Sequence, residues 1–282
     1  LYTVCSSNIF IPNFFNQFKA KQGKRMKVII LAGGYGTRLG NITETIPKPM
    51  VKIGGKPIIW HIMKIYSTAG YNDFIISLGY KGEVIKEYFF NYNIYSNDFT
   101  TNTNTGEVTI SANEISENWN ITLVDTGLNT LKGARVKRID KYLEDDTNMI
   151  TYGDGVADID ISDLVKFHKS HNKIVTITGV NPPSRFGEII EKDNKLISFK
   201  EKPQASDGLI NGGFIVFNQE LLNYLTVDSM CELEYGPFEK LASENQIMVY
   251  KLDGNWECVD TERDLLHLNH LWDQNKGFWK VW

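Results

Sequence analysis

The sequence predicts an α/β protein with a Rossmann-like, mixed and mainly parallel sheet flanked by helices. Three observations support this fold class. Residues 28–31 form a fully apolar run that leads into a glycine-rich loop, as expected for a central parallel strand. Strand-like and helix-like patterns then alternate over short links, which is typical of βαβ units. The second half adds β-branched and alternating runs, which predict a small β-rich C-terminal part.

Hydrophobic periodicity and punctuating residues place the individual elements. We predict strands at 28–31, 74–78, 121–124, 148–152, 174–180, 188–191, 196–200, 210–217 and 247–251. We predict helices that start at 56, 82, 130, 162, 220, 237 and 261. The first has Pro57 near its N1 position and stops at Gly70, and the helix over 162–170 has Ser162 as its cap. The helices that start at 82 and 130 run to 92 and 143. Those that start at 220, 237 and 261 run to 225, 244 and 272.

Composition excludes several classes of protein. The 282 residues are 42% apolar and 23% charged, as is ordinary for a soluble globular protein. A net charge of -4 gives no global field to attract nucleic acid, so we expect no nucleic-acid partner. No run reaches the roughly 18 apolar residues of a membrane span, so we expect no membrane partner. Cys5, Cys231 and Cys258 form no CxxC pair, which predicts free thiols and a cytoplasmic location.

The N-terminal and middle segments bear on domain organisation. Residues 1–25 contain no acidic residue, and their cations follow the apolar part, which is the reverse of a secretory signal. Met26 stands just before the first strand. We therefore expect 1–25 to be a leader outside the fold, with a targeting or membrane-surface role as the alternative, and 26–282 to be a single domain. Residues 93–118 are polar and turn-rich and then alternate, which predicts an inserted flap or hairpin.

The stretch over 27–50 carries the strongest chemical signal. An apolar strand runs into Gly33, Gly34 and Gly36, then Thr37 and Arg38, and finally Pro47-Lys48-Pro49. Glycines let backbone N–H groups crowd onto an anion, and two cations meet its remaining charge, so the loop is suited to a polyphosphate. Leu39 stands where a dinucleotide fingerprint needs its third glycine, and there is no Gly-Lys-Ser/Thr of a Walker A loop.

The pattern L-A-G-G-x-G-T-R-L followed by P-K-P resembles the signature of the sugar nucleotidyltransferases. Segments such as MVKIGGKPIIWHIMKIYS, ITYGDGVADIDI and INGGFIVFN, in this order, resemble the glucose-1-phosphate cytidylyltransferase family from about Met26 to the C-terminus. This resemblance implies a glycosyltransferase-A-like fold and transfer of a cytidylyl group from CTP to α-D-glucose 1-phosphate. It also implies Mg²⁺ as cofactor, a homo-oligomer, and a product used for cell-surface (O-antigen) saccharides. A relative that uses UTP or dTTP is the alternative.

The resemblance also implies the site residues. Its nucleotide-binding positions are Leu31, Ala32, Gly33, Gly34, Tyr35, Gly36, Thr37, Arg38, Lys48, Thr130, Arg135 and Gly153, and Arg38 and Lys48 are the catalytic ones. Its sugar-phosphate-binding positions are Glu201, Lys202, Asn211 and Gly212, and its metal positions are Asp154 and Asp260. Two rivals are a nicotinamide-dependent oxidoreductase and a catalytically silent paralogue.

Several of these residues can also be interpreted without the resemblance. Asp154 ends a buried strand between two glycines, where an α/β sheet places a ligand and where Mg²⁺ finds a carboxylate. Asp260 could instead be the N-cap of the last helix. Asp158 and Asp160 compete with Asp154 as ligands. Thr130 and Arg135 would otherwise be the start and the solvated face of a helix.

The second half of the candidate site has weaker signals. Glu201-Lys202 would otherwise be a surface turn. Glycines inside the strand after Asn211 indicate a close approach of ligand to backbone, and the Asn211 amide suits sugar hydroxyls.

Histidines and aromatic residues are assigned to packing. The pairs His168/His171 and His267/His270 lack a third ligand, which argues against zinc. We expect His61 to be a packed or a capping histidine, and the aromatic C-terminal segment KGFWKVW to dock on the body of the protein or on another subunit.

Overall fold

The computed structural model describes residues 26–40, 42–111, 117–143, 146–182, 188–192, 195–200 and 208–282. Its strands are β1 (Val28–Ala32), β2 (Lys52–Ile53), β3 (Lys56–Pro57), β4 (Asp73–Leu78), β5 (Asp98–Thr101), β6 (Val108–Ser111), β7 (Asn120–Asp125), β8 (Thr147–Tyr152), β9 (Gly155–Ala157), β10 (Val175–Val180), β11 (Glu188–Lys192), β12 (Lys195–Lys200), β13 (Ile210–Asn218), β14 (Ile247–Lys251) and β15 (Trp256–Cys258). Its α-helices are α1 (Ile42–Thr45), α2 (Ile58–Thr68), α3 (Gly82–Phe90), α4 (Tyr92–Ser96), α5 (Lys132–Arg138), α6 (Ile161–Lys169), α7 (Glu239–Ser243) and α8 (Glu262–Asp273). Shorter 3₁₀ turns occur at Thr37–Leu39, Lys48–Met50, Asp140–Tyr142 and Gln219–Tyr224.

Seven of the strands form one central sheet in the order β14-β10-β13-β8-β1-β4-β7. β1 pairs in parallel with both β4 and β8, and β4 pairs in parallel with β7. Within this sheet β13 runs against its neighbours β8 and β10, while β14 is parallel to β10. The sheet is therefore mixed and mainly parallel, and the predicted fold class is confirmed.

Both faces of the sheet are buried, because successive side chains of a strand point to opposite sides. Val28 and Ile30 of β1 join one apolar core, and Ile29 between them joins the other. α2 covers the first face and α5 the second. Burying each such side chain contributes about 1.5–3 kcal/mol. Mainly apolar strands thus hold the sheet between two helical layers and leave the ends of the strands for polar groups.

Several helices differ from the sequence prediction. The helix predicted over 130–143 is shorter: α5 ends at Arg138, and a 3₁₀ turn follows at Asp140–Tyr142. The pattern over 82–92 divides into α3 and α4. Pro57 precedes α2 as its N-cap and does not lie inside the helix. The prediction over 220–225 is a 3₁₀ turn, and that over 237–244 shortens to α7.

The cap of α6 is also different. Ser162 was predicted as the cap, but the carboxylate of Asp160 accepts hydrogen bonds from the backbone N–H groups of Ser162 (2.8 Å) and Asp163 (3.1 Å). A carboxylate at the N-cap satisfies these N–H groups and also meets the positive end of the helix dipole. The same contacts remove Asp160 as a rival metal ligand.

Hairpins and a short two-stranded sheet complete the fold. β5 and β6 pair antiparallel between α4 and β7, with all their residues exposed, as expected for a flap. β11 and β12 form the predicted hairpin. β15 pairs antiparallel with β9, so that Cys258 lies opposite Gly155. This last pairing brings the chain before α8 beside the end of β8.

The C-terminal segment docks on the body of the protein. Trp279 is completely buried, with its ring centroid 6.4 Å from that of Trp272 and 6.2 Å from that of His61. Among the described residues no helix is both long and apolar enough to cross a membrane.

His61 is packed inside, as predicted, and its partners define its charge state. One ring nitrogen, Nε2, lies 2.9 Å from the carbonyl oxygen of Ile53, and Nδ1 accepts from the indole N–H of Trp279 at 3.3 Å. A carbonyl can only accept and an indole can only donate, so the ring is neutral with its proton on Nε2. Burial lowers the pKa of His61 from 6.5 to about 4.

This burial predicts a loss of stability in acid. Between its folded pKa of about 4 and its unfolded pKa of 6.5, His61 is protonated mainly in the unfolded chain. The contribution of His61 to the free energy of unfolding is fully present above pH 6.5, and it falls by about 3 kcal/mol as the pH drops to 4. Urea unfolding at pH 7 and pH 4.5 measures it. The difference should shrink in His61→Asn and persist in the control His270→Asn; equal differences in all three proteins would contradict the prediction.

Candidate functional site

A cavity of about 420 Å³ opens at the carboxyl-terminal ends of the central strands β1 and β8. β13 starts at the same edge, because it runs opposite to β8. The cavity is lined by Leu31, Ala32, Gly33, Gly34, Gly36, Thr37, Arg38, Lys48, Pro49, Thr130, Leu131, Lys132, Arg135, Tyr152, Gly153, Asp154, Glu232 and Asp260. The glycine loop, both predicted catalytic cations and both predicted metal carboxylates therefore share one cavity.

The charged cluster in the cavity centres on Lys48. Its ammonium nitrogen Nζ lies 2.6 Å from Oδ2 of Asp154 and 2.7 Å from Oδ1 of Asp260. The guanidinium of Arg38 lies 3.0 Å from the other carboxylate oxygen of Asp260. Two carboxylates and two cations thus alternate along one wall, although they come from three separate segments: the glycine-loop stretch with Arg38 and Lys48, the end of β8 with Asp154, and the chain before α8 with Asp260.

Asp260 reaches this cluster because other residues cap α8. The hydroxyl of Thr261 accepts from the backbone N–H of Asp264, and the Asp264 carboxylate accepts from the backbone N–H groups of Asp260 and Thr261. The backbone N–H of Val259 also donates to the carbonyl of Asp154 at 2.9 Å. The alternative assignment of Asp260 as the N-cap is therefore wrong, and its side chain faces the cavity.

The cluster shifts the ionisation of its members. Burial by itself lowers the pKa of Lys48, but the charges and hydrogen bonds of Asp154 and Asp260 outweigh it and raise that pKa above its usual value. Burial raises the pKa of Asp260, but Lys48 and Arg38 together hold it below its usual range. Both groups are therefore charged at neutral pH.

Arg38 differs from Lys48 in its exposure. The side chain of Arg38 is 76% exposed, whereas that of Lys48 is 14% exposed. An exposed ion pair contributes about 1 kcal/mol or less, so Arg38 can exchange Asp260 for an incoming phosphate at little cost. Lys48, in contrast, is mostly buried and pairs with two carboxylates.

Arg135 packs against the glycine loop and donates a hydrogen bond to its backbone. It is buried, and its guanidinium donates to the carbonyls of Gly33 (3.0 Å), Leu78 (2.8 Å) and Leu128 (3.1 Å) and to the hydroxyl of Thr126 (2.7 Å). A Cβ atom at Gly33 would lie 2.2 Å from a guanidinium nitrogen, so only glycine permits this approach. The interpretation of Arg135 as the solvated face of a helix is wrong.

A second polar network forms the wall on the β13 side. Glu234 accepts hydrogen bonds from the hydroxyl of Tyr152 and from Nζ of Lys132, the latter at 2.5 Å. The Lys132 ammonium lies 5.1 Å from the centre of the Tyr152 ring. The Asn211 amide donates to the Tyr152 hydroxyl at 3.0 Å. Burial, and then the charge of Glu234, raise the pKa of Tyr152, which stays a neutral phenol.

The structure places the remaining predicted residues as follows. Thr130 and Gly153 line the cavity. Tyr35 is not among the lining residues, and its hydroxyl donates to Asn129 at 2.6 Å. Asn211 lies behind Tyr152, and Gly212 accepts from the Trp256 indole at 2.8 Å through its carbonyl.

One rival metal ligand, Asp158, makes its contacts elsewhere. Asp158 binds the backbone and side chain of Asn255 and does not compete with Asp154. Glu201 and Lys202 lie outside the described residues.

Five lining residues were not assigned to the site from the sequence: the polar Lys132, Tyr152 and Glu232, and the apolar Pro49 and Leu131. Tyr152 had a usable signal, since it directly precedes Gly153-Asp154 at a strand end. Lys132 and Glu232 belong to no motif, and they reach the cavity only because α5 packs against the segment before α7.

Comparison with known proteins agrees with this geometry. A family model described as "Nucleotidyl transferase" matches residues 27–275. The chain therefore belongs to the nucleotidyl transferase family. It is 46% identical over 258 residues to the glucose-1-phosphate cytidylyltransferase of Salmonella typhimurium, covering 91% of this chain and 100% of that protein. A probable glucose-1-phosphate cytidylyltransferase of Bacillus subtilis is 43% identical over 257 residues, with the same shares covered.

A solved structure agrees at the level of the fold. A putative glucose-1-phosphate thymidylyltransferase from Bacillus anthracis, in complex with a sucrose, superposes with a TM-score of 0.62 at 19% identity and covers 87% of this chain and 94% of its own. This match shows the fold, and the two sequence relatives place the chain with the glucose-1-phosphate cytidylyltransferases within the larger family.

Proposed function

We propose that this cavity transfers a cytidylyl group from CTP to α-D-glucose 1-phosphate and releases pyrophosphate and CDP-glucose. The observation that carries the proposal is the cluster of Lys48, Asp154, Asp260 and Arg38 beside the glycine loop. The names of the Salmonella and Bacillus relatives support the choice of base and sugar. They also favour CTP over the alternative of UTP or dTTP.

The cluster is suited to joining two anionic substrates. The attacking group is a phosphate oxygen of the sugar 1-phosphate, which is anionic at neutral pH, so no general base is required. The backbone N–H groups over residues 33–37 hold the triphosphate. Arg38 stabilises the departing pyrophosphate, and Lys48 stabilises charge at the reacting α-phosphate. Catalysis then depends on positioning for in-line displacement and on electrostatic stabilisation.

The donor set fits a divalent metal ion, which we take to be Mg²⁺. Oxygens from Asp154 and Asp260 lie 2.6 and 2.7 Å from one cationic nitrogen, so the two carboxylates converge on a common point. Mg²⁺ favours one or two carboxylates together with substrate phosphates. When bound, it would neutralise charge on the phosphates. Asp154 and Asp260 would hold it, and Lys48 would then turn its ammonium toward the substrate.

The other parts of the proposal come from the family resemblance. Thr130 and Arg135 line or support the nucleotide side, and Glu201, Lys202, Asn211 and Gly212 are assigned to the sugar phosphate. We also assign a homo-oligomer. It is supported by the exposed aromatic side chains of Phe90, Tyr95 and Phe99 on the consecutive elements α3, α4 and β5.

A pyrophosphate-release assay tests the proposal. The protein is incubated with Mg²⁺, glucose 1-phosphate and, in turn, CTP, UTP, dTTP, ATP or GTP. We expect the largest kcat/KM with CTP, and CDP-glucose as the product by mass spectrometry. If CTP were no better than UTP or dTTP, the base assignment would fall while the reaction class survived. Release with none of them would refute the enzyme activity itself.

A further inference from the structure

Four basic side chains line the cavity among the described residues: Arg38, Lys48, Lys132 and Arg135. The proposed reaction uses Arg38 and Lys48 at the phosphates. The guanidinium of Arg135 is occupied by three backbone carbonyls and a hydroxyl, so its hydrogen bonds serve the fold. Lys132 has neither role. Its side chain is 41% exposed, so its ammonium can meet a ligand that enters the cavity.

Lys132 reaches the cavity from the opposite face of the sheet to Lys48. It is the first residue of α5, which covers the second face. Lys48 is followed two residues later by Met50, which belongs to the core on the first face. At the end of β8, Lys48 contacts Asp154, and the Lys132 ammonium lies 5.1 Å from the centre of the Tyr152 ring. Positive charge is therefore available on two sides of a group that binds at this strand end.

The ion pair that holds Lys132 can be exchanged for a stronger anion. Its Nζ lies 2.5 Å from Oε1 of Glu234, but solvent screens a half-exposed pair of this kind, which therefore contributes little to stability. Glu234 also accepts a hydrogen bond from the Tyr152 hydroxyl, and its side chain is 28% exposed. The carboxylate thus keeps a donor and access to water when the ammonium moves. A phosphate group offers the ammonium charge-assisted hydrogen bonds in return.

We propose that Lys132 is a third substrate-binding cation, whose ammonium leaves Glu234 and donates a hydrogen bond to a phosphate oxygen of the bound substrates. The inference rests on the proposed function, which brings a triphosphate and a sugar phosphate into this cavity. Both CTP and glucose 1-phosphate carry this chemistry, and the KM that responds to substitution of Lys132 identifies which of them it contacts. Glu234 holds the ammonium beside the Tyr152 ring until the substrate binds.

Steady-state pyrophosphate release by Lys132→Ala tests the proposal, with each substrate varied while the other is saturating. We expect the KM for one substrate to rise about tenfold, as the loss of a hydrogen bond between charged groups does, and the other KM to stay within about twofold. Lys132→Arg keeps the charge and should recover most of the loss. The matched control is Lys137→Ala, with unchanged kinetics. Lys137 lies on the same helix and pairs with Asp140 at 3.1 Å, but it is not among the lining residues.

Two glutamine variants separate ligand binding from a structural role of the ion pair. The amide of Lys132→Gln can still donate to Glu234, but it has no charge, so the same KM should rise. Glu234→Gln keeps an acceptor for Tyr152 and removes the charge that competes for Lys132. That KM should then stay unchanged or fall. An ion pair that only orders the cavity wall would instead give a higher KM in Glu234→Gln as well.

Calorimetric titration with CTP and with glucose 1-phosphate measures the same change in affinity without turnover. The proposal is overturned if folded Lys132→Ala and Lys132→Gln keep both KM values and both affinities within about twofold of the wild type. It is also overturned if Glu234→Gln weakens the same substrate as much as Lys132→Ala does. If the wild type binds both substrates but releases no pyrophosphate, it is the proposed function that fails, and the titrations still decide the role of Lys132.

Discussion

Replacing Lys48 with alanine is expected to lower kcat by at least about a hundredfold, as does the loss of a principal charge stabiliser in other enzymes. In the folded protein Lys48 Nζ lies 2.6 and 2.7 Å from two carboxylates, and its side chain is only 14% exposed. Without it, the reacting phosphate loses its buried cation, and the carboxylates of Asp154 and Asp260 keep only the exposed Arg38 beside Asp260 as a counter-charge in this cluster. Steady-state pyrophosphate release with saturating CTP and glucose 1-phosphate measures the effect.

The controls separate lost chemistry from lost structure. Lys52→Ala removes an exposed lysine four residues further along the chain and should leave kcat unchanged. Breaking a buried ion pair also destabilises the fold, so the assay is run well below the melting temperature measured for the variant. A folded Lys48→Ala protein that turns over within a few fold of the wild type would remove Lys48 from the mechanism.

Local sequence pattern is sufficient for most of the sheet. β14 has the predicted bounds, β1, β4, β8 and β10 differ from the prediction by one residue at one end, and β7 differs by one residue at each end. These strands are mainly apolar or β-branched runs between turn residues. Because both alternating sets of side chains are apolar, the local sequence alone predicts a strand that is buried on both faces. Helix ends were predicted less well. For α6 the choice between Asp160 and Ser162 as cap depends on side-chain geometry that composition does not specify.

The candidate site also has a part that local sequence predicts and a part that depends on contacts between distant segments. The glycine loop with Arg38 and Lys48 lies within one segment and was visible as a motif. Asp260 needed the resemblance to be selected at all, because its approach to Asp154 depends on the pairing of β15 with β9. That pairing joins residues about a hundred positions apart, and short, half-buried strands carry little pattern of their own.

Arg135 shows why the remainder could not be predicted. An arginine on a short, basic helix is ordinarily solvated. Here its guanidinium is buried because three backbone carbonyls and a hydroxyl, from the ends of other elements, converge on it. Only the folded topology brings those acceptors together. Glu232 is similar, since it lines the cavity only because α5 packs against its segment.

Truncation of Trp279 to alanine is expected to destabilise the protein by about 3–5 kcal/mol, the usual cost of emptying a fully buried aromatic site. The C-terminal segment was predicted to dock either on the body or on another subunit, and Trp279 is completely buried within its own chain. Its indole also donates to Nδ1 of His61 at 3.3 Å. The substitution therefore creates a cavity and leaves a buried ring nitrogen without its donor. Urea unfolding at pH 7 measures the loss.

Val281→Ala is the matched control, because Val281 lies two residues away and is 41% exposed. It should change the free energy of unfolding by less than about 0.5 kcal/mol, as surface substitutions do. The midpoint for Trp279→Ala should not depend on protein concentration, since the contacts that it removes lie within one chain. A loss under 1 kcal/mol would show that the segment contributes little to the fold. A concentration-dependent midpoint would instead indicate that the C-terminus stabilises contacts between subunits.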